Sequence, residues 1–325
     1  MPTKTLPDDI CTAPVIKSRF PSRIHPALDE LHKRTQKMYA HSLEPLVKNK
    51  PVTKHGAYVA CGGTMAAYIY PDAELQRLKA LSDSFVAGVF IDDMMDNSTD
   101  LEYVEEVIEN YRAAFAGSLR ACPEFDFIMD FFTDSRWDHA ALELVQPEFN
   151  LYLDSTLSQR RIETERRVVT AEEYLTYREG NTYMGVTHLL SGFVYPHLTH
   201  ELVRVCSLAP ETIRLVFKYS GLSVGVSLDM YKLNGKHSEV CEYTNIVKII
   251  QRASSGPCSL SEALCLACNL FHEYEEKMAI ELEKIAALSP EVADAIRFMH
   301  GGTISWMENM RGSRYSKIIK GNTSI

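Results

Sequence analysis

Apolar residues recur three and four positions apart through most of this chain, the spacing of one face of an α-helix. The pattern is clear in HPALDELHKRTQKMYAHSL, TAEEYLTYREGNTYMGVTHLL, SEALCLACNLFHEYEEKMAIELEKIAAL and SPEVADAIRFMHGGTISWMENM. Start signals support it: Pro71-Asp72 stand before one helix, Thr170 with Glu173 can form a capping box, and Ser289-Pro290 precede the last long pattern. No alternating strand pattern and no repeat of solenoid length is found. Residues 1–22, rich in Pro, Thr and Ser without periodicity, read as an extended arm. Residues 23–325 read as a single all-α bundle of roughly ten to twelve helices.

Two stretches break the amphipathic rule. FVAGVF at 85–90 and MGVTHLLSGFVY at 184–195 are apolar around most of a helix circumference, so they belong inside the bundle with neighbours on every side. Buried inner helices can enclose a central apolar cavity. The first stretch runs directly into carboxylates, FVAGVFIDDMMDN. Asp92 and Asp96, four apart, project from one face, and Asp93 is turned about 100° away. Carboxylates that close repel each other unless a hard cation sits between them, and oxygen ligands with room for water and phosphate oxygens suit Mg2+. A solvated helix end is the other reading of these residues. The run below them favours the metal: Phe85, Gly88 and Val89 lie one and two turns before Asp92 on the same side, and the small Gly88 leaves room. A carboxylate rim over a greasy pocket fits a substrate that is diphosphate at one end and hydrocarbon at the other.

The chain has 325 residues, 46% hydrophobic and 24% charged, enough for a well-packed core. Its 34 basic and 43 acidic side chains give a net charge of −9, which opposes non-specific binding to nucleic acid or anionic membrane. No apolar run reaches the roughly 20 residues of a membrane span. The N-terminal stretch lacks the apolar core of a signal peptide and the eight cysteines are scattered, so a reducing, cytoplasmic setting is expected. Cys265 and Cys268 form a CxxC inside a helical pattern without a second pair, and are expected as small core residues rather than zinc ligands.

Three segments carry a family resemblance. YIYPDAELQRLKALSDSFVAGVFIDDMMDN resembles the aspartate-motif segment of microbial class I terpene synthases. EEYLTYREGNT resembles that family's helix bearing a diphosphate-sensing arginine, which falls on Arg178, and TISWMENMRGSRYSK resembles its segment ending in an Arg-Tyr pair, here Arg314 and Tyr315. The motifs keep the family's order over residues 70 to 315. The resemblance implies Mg2+ held by Asp92 and Asp96, a prenyl diphosphate substrate, and diphosphate contacts from Arg178, Arg314 and Tyr315. It also implies a cavity whose aromatic faces stabilise carbocations, with Phe85, Tyr183 and Trp306 as candidates by helical position. Asn181 and Thr182 stand where the family usually has Asp-Gly, a place where the helix bends.

One part of the pattern is missing. The family's second metal motif, Asn, Ser and Glu at i, i+4 and i+8, would fall about 46 residues past Arg178, on Val224, Leu228 and Lys232. None is a good Mg2+ ligand. Either a shifted set led by Asp229 holds metal, or Lys232, in the glutamate's position, supplies a fixed positive charge to the diphosphate. The second is the expectation, with fewer ions than the usual three. Leu228, one turn before Lys232, is expected to face the pocket and shape the product. Without that motif, the chain most resembles a divergent fungal branch, the humulene-forming cyclases of tropolone sesquiterpenoid secondary metabolism. This implies farnesyl diphosphate, closure to a C15 hydrocarbon by 1,11-attack, released diphosphate as proton acceptor, and admits a homodimer. Two rivals remain. A trans-prenyl diphosphate synthase needs a second aspartate-rich motif, and the only other regular series, Asp126, Asp130, Asp134 and Asp138, reads as the wet stripe of one amphipathic helix. A catalytically inactive isoprenoid-binding helical protein would keep the fold without turnover.

Overall fold

The computed structural model describes residues 10–12, 14–47, 62–119, 122–233, 241–254, 256–310 and 318–320. Fourteen α-helices are found among them. The first six are α1 (Leu28–Met38), α2 (Gly62–Ile69), α3 (Leu75–Asp96), α4 (Leu101–Phe115), α5 (Asp126–Phe132) and α6 (His139–Thr164). Next come α7 (Ala171–Arg178), α8 (Met184–Leu189), the single turn α9 (Ser191–Val194) and α10 (Thr199–Leu208). The last four are α11 (Pro210–Tyr231), α12 (Ile246–Ala253), α13 (Leu260–Leu288) and α14 (Pro290–Asn309). The fold is all-α in character. The count exceeds ten to twelve because backbone breaks interrupt stretches of continuous helical spacing. Tyr183 adopts φ 63°, splitting α7 from α8, and Ala209 at φ −134° separates α10 from α11.

Among the described residues, side-chain caps account for six of the fourteen helix starts. Thr170 and Glu173 form the reciprocal capping box expected of them, Ser259 and Glu262 form a second, and Ser289 accepts from Val292 N with Pro290 in the first turn. Asp72 plays no such part, since α3 begins at Leu75 without a side-chain cap. One departure is a pair of antiparallel strands, β1 (Ile10–Thr12) and β2 (Ile318–Lys320), with Cys11 opposite Ile319. Three residues are too few for a period of two to register in a sequence.

The Asp126 series is not one stripe. Asp126 opens α5, Asp134 lies past its end and pairs with Arg136 at 2.5 Å, and Asp138 caps α6 through Ala141 N at 3.0 Å. A period of four simply persists across a helix break. Cys265 is also misread: it is exposed, and Cys268 is half-buried with its Sγ 3.6 Å from Met230 Sδ.

The apolar core forms two clusters. One gathers α1–α6 and α8–α10 with the stretches of α11, α13 and α14 that carry Phe217, Leu282 and Ile296; the other gathers α7 and α12 with the remaining lengths of α11, α13 and α14, joined by Ile162 of α6 and Met184 of α8. Met65, Val89 and Tyr219 pack against both and mark the seam. A buried polar chain crosses this apolar interior. His188 Nε2 meets Ser220 Oγ at 2.8 Å, Ser220 Oγ meets His300 Nδ1 at 2.9 Å, and His300 Nε2 meets Glu275 Oε1 at 3.1 Å. Glu275 also accepts from Ser18 Oγ and, at 3.0 Å, from Arg19 N, tying the segment before α1 to α13. Burial alone pushes the Glu275 carboxyl up; His300 and these donors outweigh it and hold it below the usual carboxylate range.

Candidate active site

A cavity of about 190 Å³ opens along the seam between the clusters. From α3 it is lined by Phe85, Gly88, Val89, Asp92 and Asp96, so the apolar run and two of the three aspartates share one face. Gly88 leaves space that a side chain would lose, since a Cβ there would stand 3.1 Å from the Tyr111 hydroxyl. Asp93 is 2% exposed, does not line the cavity, and lies toward Tyr39. From α11 come Val224 and Leu228, and from the position just after it Lys232, the three residues at the missing motif's spacing. Arg178, Asn181, Thr182 and Tyr183 enter from the break between α7 and α8, and Trp306 from α14.

The charged residues stand at helix ends. Asp96 closes α3, Arg178 closes α7 and Lys232 follows the last residue of α11. The cavity is therefore ionic where these C-termini meet and apolar beneath. Arg178 is 5% exposed; Nη2 donates to Asp229 Oδ1 at 2.6 Å and to the Gly225 carbonyl at 3.0 Å, and Nη1 donates to Asn181 Oδ1 at 3.0 Å. Burial disfavours the guanidinium charge, but Asp229 more than offsets it, so Arg178 is held above its ordinary range. This pairing answers the question left by the missing motif. Asp229 is 2% exposed, does not line the cavity, and spends both oxygens on Arg178 and Ile246 N, so among the described residues no metal set led by Asp229 is formed.

The structure adds residues that sequence reasoning missed. Tyr111 from α4 and Tyr152, Thr156 and Gln159 from α6 also line the cavity. Tyr152 donates to Asp92 Oδ1 at 3.2 Å, and its ring meets that of Tyr183 edge-on at 4.9 Å. Burial first, then Asp92, pushes the Tyr152 hydroxyl well up, so it stays a proton donor to that carboxylate. The signal for α6 was available: Tyr152, Thr156 and Gln159 form a polar stripe at i, i+4 and i+7. Trp306 is 6% exposed, with an indole N–H that finds no acceptor among the described residues. Arg314 and Tyr315 lie outside the described residues.

The donor set fits a hard divalent ion. Asp92 and Asp96 face the same space with oxygen ligands only, and two carboxylates leave coordination positions for water and substrate oxygens. Among the described residues no group of three or more His, Cys, Asp or Glu converges, so an ion held by these two would take its other ligands from beyond those residues, water and substrate oxygens included.

The family model for terpene synthase family 2, C-terminal metal binding, matches residues 83–277. The chain belongs to this family. It is an enzyme of the terpene synthase type, and the family's metal binding agrees with the donor set above. Solved structures share its fold. Hedycaryol synthase in complex with nerolidol is 16% identical, with 92% of this chain and 99% of that one covered at a TM-score of 0.72. Germacradien-4-ol synthase from Streptomyces citricolor is 16% identical, covering 92% and 98% at 0.69. Linalool/nerolidol synthase from Streptomyces clavuligerus, in complex with 2-fluorogeranyl diphosphate, is 17% identical, covering 92% and 99% at 0.71. No curated protein matches the sequence. Among the described residues of this terpene synthase, no helix is long and apolar enough to cross a membrane.

Proposed function

We propose that this terpene synthase is a sesquiterpene cyclase that ionises farnesyl diphosphate and closes it to a C15 hydrocarbon, with humulene by 1,11-closure the favoured product. The observation that carries the reading is the polarity of a single cavity. Asp92, Asp96, Arg178 and Lys232 line the same space as Phe85, Val89, Leu228 and Trp306. Its volume of about 190 Å³ exceeds the roughly 150 Å³ of an apolar cavity that takes up benzene, so there is room for at least a small hydrocarbon group beneath the charges. The activities named for the structural neighbours, and the 2-fluorogeranyl diphosphate bound in one of them, support a prenyl diphosphate as substrate.

Ionising an allylic diphosphate separates a carbocation from an anion, so the site must stabilise the anion and keep water from the cation. Asp92 and Asp96 would hold Mg2+, which would supply Lewis-acid stabilisation of the developing anion. Arg178 and Lys232 add fixed positive charge, and Lys232, standing where the family's glutamate would bind a further ion, lets the site work with fewer than three. Arg314 and Tyr315, which lie outside the described residues, are assigned to the diphosphate by the resemblance of their segment alone. The faces of Phe85, Tyr183 and Trp306 stabilise passing cations, Leu228 shapes the folded chain, and released diphosphate takes the final proton. The enzyme works in the cytoplasm as one helical domain, 23–325, behind the arm 1–22. A homodimer is compatible with a cavity built from one chain.

The test is incubation of purified protein with farnesyl diphosphate and Mg2+, solvent extraction, and gas chromatography with mass spectrometry, beside Lys232→Ala. A cyclic C15 hydrocarbon is expected, reduced on the order of 100-fold in the variant. Undiminished product in Lys232→Ala removes the lysine from the mechanism and keeps the cyclase. No hydrocarbon from C10, C15 or C20 diphosphates overturns the reading, and elongation on adding isopentenyl diphosphate makes the enzyme a prenyl diphosphate synthase.

A further inference from the structure

Arg178 is the most confined cation of the cavity wall. Its side chain lies against α11 at Gly225, where a Cβ would stand 2.7 Å from Nε and 2.8 Å from Cγ. No residue other than glycine leaves that bed open. Two donors, Nη1 and Nη2, are engaged, while the Nε–H has no acceptor among the described residues. Asp229, one turn past Gly225, receives Nη2 with one oxygen and Ile246 N at 2.9 Å with the other. Ile246 is the first residue of the eight-residue helix α12, and Asn245 Nδ2 donates to the Asp229 carbonyl at 2.8 Å. One buried carboxylate behind the wall is thus paired with Arg178, and the Lys232 charge acts on it more weakly.

That arrangement has an electrostatic consequence. Two cations in a dry wall repel each other and need an anion within reach. A bound diphosphate would meet the same need, so it and Asp229 compete for the same charges.

We infer that Asp229 is a placeholder anion: without ligand its carboxylate holds Arg178 down on α11, and diphosphate displaces it. This deepens the reading of the site as a prenyl diphosphate site and rests on it. The displaced carboxylate is not left without a partner, because Ile246 N and the positive end of the α12 dipole remain beside it. Gly225 supplies the bed in which the guanidinium rests between turnovers. Asp229 is on this account a positioning residue that acts through Arg178.

The experiment measures binding of inorganic diphosphate with Mg2+ by calorimetry, together with thermal melting with and without diphosphate. It compares the wild type with Asp229→Asn, which removes the competing charge, and Gly225→Ala, which blocks the resting bed and leaves every charge in place. Ligand-free Asp229→Asn should melt below the wild type, bind diphosphate at least tenfold more tightly, and gain more in melting temperature from it. Gly225→Ala should also bind more tightly, and it decides the matter if Asp229→Asn does not fold. A purely structural aspartate would lower the melt and leave the ligand-induced gain unchanged. Affinity unchanged or weakened in both variants overturns the displacement while the site reading survives. Absence of diphosphate binding by the wild type overturns both.

Discussion

Gly221 is where α11 touches the turn between α7 and α8. A methyl group there would stand 2.3 Å from the Glu179 carbonyl oxygen and 3.1 Å from Thr182 Oγ1, whereas ordinary van der Waals contact begins at 3.4 Å. Gly221→Ala must therefore open this contact by about 1 Å, and the obstacle is backbone, which cannot rotate away as a side-chain tip would. The turn carries Arg178 on one side and Thr182 and Tyr183 on the other, and all three line the cavity. Overpacking of this kind costs about 1–3 kcal/mol, a drop of a few degrees in melting temperature for a chain of this size. Misplacing a catalytic group by about 1 Å costs on the order of 100-fold in rate. The expected variant is thus well folded and poorly active, with kcat/KM for farnesyl diphosphate down roughly 100-fold beside a small change in melting. Gly256→Ala is the control, since nothing lies within 4 Å of its added methyl, and both quantities should stay at wild-type values. Wild-type kcat/KM with an unchanged melt in Gly221→Ala would refute the idea that the turn is set by its seat on α11.

Three further outcomes are expected. Tyr152→Phe removes the hydroxyl that reaches Asp92 and keeps the ring. Its turnover at limiting Mg2+ should fall about tenfold and recover at higher Mg2+, and an unshifted Mg2+ dependence would show that the bond does not position the carboxylate. His188 is fully buried; burial, then His300, lowers it to about 3, against about 6.5 in the unfolded chain. The unfolded chain takes up this proton as pH drops below 6.5 and the folded one does not until near 3. The stabilisation is therefore whole above pH 6.5 and lost between 6.5 and 3, at most about 5 kcal/mol. Urea melts at pH 7, 5 and 4 should show that slope, and His188→Gln should flatten it; equal slopes would remove His188 as the cause. Glu275→Gln weakens the ties to His300, Ser18 and Arg19, at about 2–4 kcal/mol, and should speed tryptic cleavage after Lys17 and Arg19. Cleavage at the wild-type rate would mean the segment is held by other contacts.

What could be read from the chain was whatever depends on one helix at a time. The apolar circumference of 85–90 placed α3 in the interior, and the four-residue spacing put Asp92 and Asp96 on the face that lines the cavity. The same arithmetic brought Val224, Leu228 and Lys232 to one wall. What depends on several helices at once was not legible. Tyr111 and Tyr152 reach the cavity from α4 and α6, Tyr152 bonding Asp92, and no local pattern says which helices meet. Asp229 looked like a spare ligand because its partners, Arg178 and Ile246, belong to other elements. The left-handed backbone at Tyr183 left no trace either, because a glycine or asparagine would normally announce it and here tertiary contacts hold a tyrosine there.

The chain of His188, Ser220, His300, Glu275 and Ser18 also bears on how this sequence can change over time. Each member is buried or tied to a buried partner and satisfies its neighbour, so replacing one strands the next, whereas apolar neighbours can exchange a methyl at modest cost. Their effects on stability should be strongly non-additive, measurable as coupling in double-mutant cycles. Relatives that lack His300 are then expected to have changed Glu275 or Ser220 as well, leaving the five positions to be inherited or lost as a block while the apolar wall around them drifts freely.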